Sequence, residues 1–299
     1  MPVTDNRFFR VRVAAVTDVT PSFRRFTFTG ADLDDYADPG YDQRIKVVFP
    51  SATATLDDMP TGDDWYDLWR AMDAAARPPF RTYTTRAVRN EVREVDVDMV
   101  AHEVTGPASA WIHSARVGDE VLLLAPVAPH EGVSSGIDFV PPAQTGAFLI
   151  AGDETAAPAI AVILEQLPAD ARGTVVLEVP RAGDIAYLPH HPGFDYRVAA
   201  RGDERHAHLV PQTKDAAAAL VPAGRGAQVE EVDIDGGLLW EVPRTAKGGA
   251  ALKSAPLYAW LAGEAGAIKQ LRRHLVAAHG VDRRAVAFMG YWRLGRPEV

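Results

Sequence analysis

The sequence predicts an antiparallel β-barrel followed by a doubly wound α/β domain. Three observations lead there. With 299 residues, the chain is long enough for two domains that each bury a core. Its first part is built from short segments that alternate apolar and polar residues, the period of half-buried strands. From residue 147 onward, continuous apolar runs alternate with helical patterns, as in parallel βαβ units. The turn-like PPAQTG at 141–146 separates the two, which gives domains at 1–142 and 143–299.

In the first domain, FFRVRVAAVTDVT (8–20) alternates up to a turn at Pro21-Ser22, and FRRFTFTG (23–30) alternates again until Gly30. QRIKVVFP (43–50) is a third strand, stopped by Pro50. Residues 51–64 read as a loop, and DWYDLWRAMDAAA (64–76) as a short helix. After Pro78-Pro79 come RTYTTR (81–86), a long alternating strand over 91–103, a short helix over 108–115 and a closing strand over 118–127. Short strands separated by turn signals suggest a barrel. In the second domain, AFLIAG (147–152), GTVVLEVP (173–180), DYRVAA (195–200), LYAWLAGE (257–264) and AVAFMGYW (285–292) read as strands. Helices are expected over 157–167 and 265–280, and 203–250 is a stretch of low complexity in which KDAAAALVPAGRGAQ (214–228) can be helical and complete the second domain.

Composition excludes several function classes. A net charge of −9 leaves no basic excess for nucleic acid. No run of about 18 apolar residues suggests a membrane span. MPVTDNRFFRVRV has no apolar leader or cleavage site and reads as cytoplasmic. The chain has no cysteine, so thiolate chemistry, Cys-ligated zinc and iron–sulfur clusters are excluded. Any electrons it moves must travel on an organic cofactor.

RTYTTR poses the functional question. Arg81 offers a forked cation suited to phosphate. Tyr83, two residues on, shares its face and can stack on a flat ring, while Thr84 offers a hydroxyl and a backbone N–H. An exposed strand with solvated arginines is the plainer alternative. GPASAW (106–111) opens a helix whose first-turn N–H groups, beside Ser109, suit an anion; an ordinary helix start with Pro107 would look the same. His190-His191 and His206-X-His208 lack a carboxylate at fixed spacing, so no metal site is assigned.

RTYTTR, DMVAHEVTGPASAW, LIAGDETAAPAIAVILEQLP, AWLAGEAGAIKQLRRHL and GYWRLG, in this order, resemble the siderophore-interacting protein family, flavin-dependent ferric-siderophore reductases related to the ferredoxin–NADP reductases. The resemblance runs from the opening strands to Arg296. It implies a FAD-binding barrel, a pyridine-nucleotide-type domain and one-electron reduction of Fe(III) held by a siderophore, releasing Fe(II). Carried over by residue, Arg81, Thr82, Tyr83 and Thr84 would hold the flavin and its phosphates. Asp98, Val100 and His102 would line the cofactor, Ala108 and Ser109 would donate to its pyrophosphate, and Trp292 would pack near it.

Asp153, Glu154, Thr155 and Ala156 stand where the wider superfamily cradles a dinucleotide. Two carboxylates oppose a pyrophosphate there, although N-capping of the helix is an equally simple role for them. Arg201 occupies the place of an arginine that meets the 2′-phosphate of NADPH in related reductases, and Arg181 lies at a second suitable strand end. Gly263 and Glu264 end the strand beside which the nicotinamide would lie. Lys46 and Arg293, with Arg296, would attract an anionic ferric siderophore. The donor expected is NADPH or NADH. A ferredoxin feeding the same flavin, or a flavin-free siderophore carrier, are the alternatives.

Overall fold

The computed structural model describes residues 6–104, 106–129, 134–202, 204–221 and 239–295. It divides into two compact units at Ile137–Asp138. In the first unit, β1 (Asn6–Thr20) turns into β2 (Phe23–Thr29). β3 (Arg44–Val48), β4 (Phe80–Thr84), β5 (Ala87–Arg89), β6 (Glu94–Val100) and β7 (Glu120–Pro126) follow. These form one antiparallel sheet, ordered β4-β3-β7-β1-β2-β6-β5, that curls into a half-barrel. Alternation sends Phe9, Val11, Phe26, Phe28, Val47 and Val97 inward, and Trp111 of helix α2 (Pro107–Ser114) joins the same core.

Two elements are shorter than expected. The helix predicted over 64–76 is α1 (Trp65–Ala71), after which Met72 turns extended and Ala74–Ala76 forms a separate 3-10 turn held by Asp73. The strand predicted over 91–103 begins only at Glu94, because Asn90–Val92 is a 3-10 turn closed by Arg93 in the left-handed region (φ 55°). Arg89 reaches across this turn to Glu94 and Asp96, which fixes the β5–β6 hairpin.

The second unit carries β8 (Gln144–Asp153), α3 (Ala157–Gln166), β9 (Gly173–Val179), β10 (Phe194–Ala200) and α4 (Leu209–Leu220). β11 (Trp240–Glu241), β12 (Ser254–Glu264), α5 (Ala265–Arg273) and β13 (Val286–Trp292) complete it. The sheet order is β10-β9-β8-β12-β13-β11, parallel except for β11. Leu149 and Ala151 of β8 and Leu257, Ala259 and Leu261 of β12 share one core with α4 and α5. Gly152, on the opposite face, lies against Ala156 and Ile160 at the start of α3, so helices cover both sides. α4 includes Lys214–Leu220, the first half of KDAAAALVPAGRGAQ, so the helical alternative for that stretch holds there; residues 222–238 lie outside those described. α5 continues as a π turn over His274–Ala278.

Strand order reverses at β8: β9 and β10 extend the sheet one way, β12 and β13 the other. Open α/β sheets bind ligands at the carboxyl ends of their strands, at such a switch point. The ends of β8 and β12 carry Asp153 and Gly263-Glu264.

Candidate functional site

On β4, alternation and register set the faces. Tyr83 lies opposite Ile45 and Arg81 opposite Val47, both core residues, while Thr82 lies opposite Lys46. Arg81 and Tyr83 therefore share a face, as their spacing predicts. The half-buried Tyr83 ring meets Phe49 edge-on at 6.3 Å, and Phe49 packs on Trp111 of α2 at 5.1 Å. One aromatic bridge thus connects the arginine–tyrosine strand to the second candidate element.

At the start of α2, Gly106 is extended and the first helical bond runs from the Ala110 N–H to the Gly106 carbonyl. A Cβ placed at Gly106 would meet nothing within 4 Å, so the backbone there is open to approach. Ser109 does not present its hydroxyl as expected. Its Oγ accepts from the Gly106 N–H (3.0 Å) and donates to the Gly106 carbonyl (2.9 Å), which pins the turn. Backbone N–H groups of the first turn, at Ala108 and Ser109, are the donors that a helix start aims toward its N-terminal end.

Other expected residues are placed differently. The Thr84 hydroxyl lies, by alternation, on the face opposite Tyr83. Lys46 is also on that face, its ammonium 4.8 Å from the Phe80 ring and 3.5 Å from Thr82 Oγ1, so the structure does not bring it to Arg81 and Tyr83. Asp98 is committed to the fold: Arg25 Nε and Nη2 donate to its two oxygens at 2.7 and 2.8 Å, and Arg86 Nε lies 3.6 Å away. A buried carboxylate gripped by two guanidiniums is a brace between β2, β6 and the end of RTYTTR. Val100 is buried at the end of β6. His102 is exposed beyond it, where its carbonyl accepts from the His113 ring (2.7 Å).

In the second unit, Asp153 is a hub. It is 1% exposed. Oδ1 accepts from the Thr155 N–H (3.0 Å) and hydroxyl (2.5 Å), and Oδ2 accepts from the Glu264 N–H (2.8 Å) and Trp292 Nε1 (2.8 Å). Burial and the neighbouring Glu154 carboxylate outweigh these four donors and push its carboxyl up to about 6. Gly263 is required beside it: its φ is +144°, and a Cβ there would lie 2.5 Å from Asp153 Oδ2. Glu264 caps α5 by accepting from the Ala267 N–H (2.9 Å). Ala156 is buried at the start of α3.

Arg201 is not a free loop cation. Its guanidinium pairs with Glu154 and is 13% exposed, so the place expected for a nucleotide phosphate is taken by a carboxylate. Arg181 is exposed, with its backbone N–H on Asp184. Trp292 ties β13 to Asp153 through its indole N–H, with Arg205 over its ring at 5.4 Å. Arg293 is half-buried just past β13, and Arg296 lies outside the described residues.

The histidine pairs have separate partners: the His190 ring stacks on Tyr196, and the His206 ring lies 3.9 Å from Asp153 Oδ2 and beside the Trp292 indole. His191 Nδ1 accepts from the Gly193 N–H, and Nε2 contacts the Pro168 carbonyl. The buried Glu178 carboxylate accepts from the N–H groups of His206, His208 and Leu209, and so caps α4. No spacing signal marks Glu178 or Arg205, since their partners lie far along the chain. No group of three metal-ligating side chains occurs among the described residues.

Residues 12–130 match the model of the siderophore-interacting FAD-binding domain, and residues 145–295 that of the siderophore-interacting protein. The chain belongs to the siderophore-interacting protein family. It is 31% identical over 292 residues to an uncharacterised protein of Mycobacterium tuberculosis, covering 96% of this chain and 90% of that one. It is 31% identical over 172 residues to the ferric vibriobactin reductase ViuB of Vibrio cholerae, covering 58% and 59%. Its structure is similar to that of the siderophore-interacting protein SipS from Aeromonas hydrophila, with a TM-score of 0.69, 28% identity and coverage of 98% and 94%. FAD is the cofactor of this family's first domain, and Arg81, Tyr83 and the opening turn of α2 suit it: a forked cation, an aromatic wall and backbone donors beside open space. No helix among the described residues is long and apolar enough to cross a membrane.

Proposed function

We propose that the chain is a cytoplasmic FAD-dependent reductase of ferric siderophores, fed by NADPH or NADH, that releases Fe(II). The observation that carries this is the common face of Arg81 and Tyr83 joined through Phe49 to α2. Arg81 would hold phosphate, Tyr83 one face of the flavin ring, and the Ala108 and Ser109 N–H groups the pyrophosphate. When bound, FAD supplies chemistry that takes two electrons together and passes them on singly. Ferric siderophore is substrate here, and its reduction needs no protein acid or base because no covalent bond to iron's ligands has to form. The similarity to a ferric vibriobactin reductase supports the substrate class.

A second reading keeps the flavin and takes electrons from a ferredoxin. The β8–α3 loop favours it, because Asp153 and Glu154 fill with their own partners the place where a dinucleotide would bind. Anaerobic mixing of the FAD-loaded protein with NADPH, NADH or reduced ferredoxin separates the two. Loss of flavin absorbance with a nicotinamide supports the first reading; loss with ferredoxin alone contradicts it.

A further inference from the structure

Past the end of α5 stand two histidines that the proposed reaction does not use. His274 opens the π turn over His274–Ala278, and His279 follows that turn directly. Five residues apart on a regular α-helix, two side chains would point about 140° apart around the axis. The π turn removes that offset: the imidazole centroids lie 4.7 Å apart and the two Nε2 atoms 3.1 Å apart. π turns are rare and occur frequently at functional sites.

Proton accounting fixes the facing atoms. His279 Nδ1 lies 3.1 Å from the Val221 carbonyl at the end of α4. A carbonyl only accepts, so Nδ1 carries the ring proton and Nε2 turns its lone pair to His274. His274 donates its Nε2–H to that lone pair, which leaves its own lone pair on Nδ1. An imidazole N–H bound to a backbone carbonyl is also the arrangement that orients metal-ligating histidines. Two nitrogens bound to one tetrahedral Zn(II) at about 2.0–2.1 Å are about 3.3 Å apart. The 3.1 Å between these Nε2 atoms is close to that spacing. For an ion to enter, His274 has only to move its proton from Nε2 to Nδ1; both rings stay neutral and no proton is released. His279 is 8% exposed and His274 half-buried, so one ligand is fixed and the other open to solvent. Burial, His279 and Lys214 of α4 hold the His274 imidazolium below its usual range, which keeps the ring in its ligating form; the Lys214 charge also opposes a cation. No third histidine, cysteine or carboxylate joins them among the described residues, so water completes the coordination. Imidazoles without a carboxylate favour zinc, nickel or copper over magnesium or calcium.

We infer that His274 and His279 form a two-histidine site for a divalent transition ion of the zinc class, at the junction of the π turn with the end of α4. The inference is independent of the flavin and of its electron donor. Calorimetric titration of the FAD-loaded, tag-free protein with ZnCl2 tests it. The wild type should bind one equivalent, and MgCl2 should give no saturable heat. His274→Ala and His279→Ala should each weaken zinc by more than about tenfold. His190→Ala, in the other half-exposed histidine pair, should bind zinc as the wild type does. Zinc should also raise the thermal unfolding midpoint of the wild type and leave that of His274→Ala unchanged. If His279→Ala fails to fold, the half-buried His274→Ala decides by itself. No saturable zinc binding by the wild type overturns the inference. So does undiminished binding in His274→Ala, or a loss of binding in His190→Ala instead.

Discussion

Arg81 and Asp153 show two fates for a charged group at a candidate site. Arg81 sits half-buried on the Tyr83 face, where a forked cation meeting phosphate contributes a few kcal/mol (about 1.5–3 for a charged hydrogen bond). Arg81→Ala should therefore fold and lose most of its FAD, read as the flavin-to-protein absorbance ratio after gel filtration; a fully yellow variant would remove Arg81 from the site. Asp153 is held by four donors within its own domain. Asn in its place would turn an N–H₂ toward two of them, so Asp153→Asn should be destabilised in urea. The pH dependence has a definite sign. Because the folded carboxyl is raised from 3.8 to about 6, its contribution is complete below the unfolded value and is lost as pH rises through about 6. The wild type's advantage over Asp153→Asn should shrink by roughly 1 kcal/mol between pH 5 and 7.5. An advantage that grows over that interval would contradict the assigned shift.

At the scale of elements, β12 is joined to β8 by its backbone ladder, and the Asp153 side chain ties both β12 and β13 to the end of β8. β12 delivers Gly263 at φ +144°, which lets the Glu264 N–H reach Asp153, and β13 ends in Trp292, whose indole N–H reaches the same oxygen. Gly263→Ala combines a backbone conformation that L residues avoid with a Cβ 2.5 Å from a carboxylate oxygen. It should cost about 2 kcal/mol or more by denaturant unfolding. Stability equal to wild type would mean that the Asp153 hub is not a rigid joint. Such joints are only partly legible in sequence. Period-two alternation in RTYTTR and QRIKVVFP is a local signal, so the shared face of Arg81 and Tyr83 can be read from spacing alone. The same alternation, applied to Lys46 together with the register, puts it on the opposite face; register is a tertiary fact, and one residue of slip reverses it.

At the scale of the whole molecule, the two-domain order is legible because buried parallel strands are uniformly apolar and barrel strands alternate. The second-domain site is not. Arg201 carries the right residue type at the right strand end, but its partner Glu154 lies 47 positions earlier, and Trp292 finds Asp153 across 139 positions. Charge pairing over such separations has no local signature, which is why a cation in sequence becomes a closed ion pair in the fold. The reaction proposed for the molecule is reduction of iron in a siderophore by a flavin held on β4 and α2. The most direct test is anaerobic reduction of the FAD-loaded protein, addition of a ferric siderophore, and measurement of Fe(II) with a ferrous-specific chelator while flavin absorbance returns. Ferrous chelate should appear together with flavin reoxidation, about two irons per flavin, and faster than with free reduced FAD. Flavin that stays reduced, or iron release no faster than with free FAD, would contradict the proposed reaction.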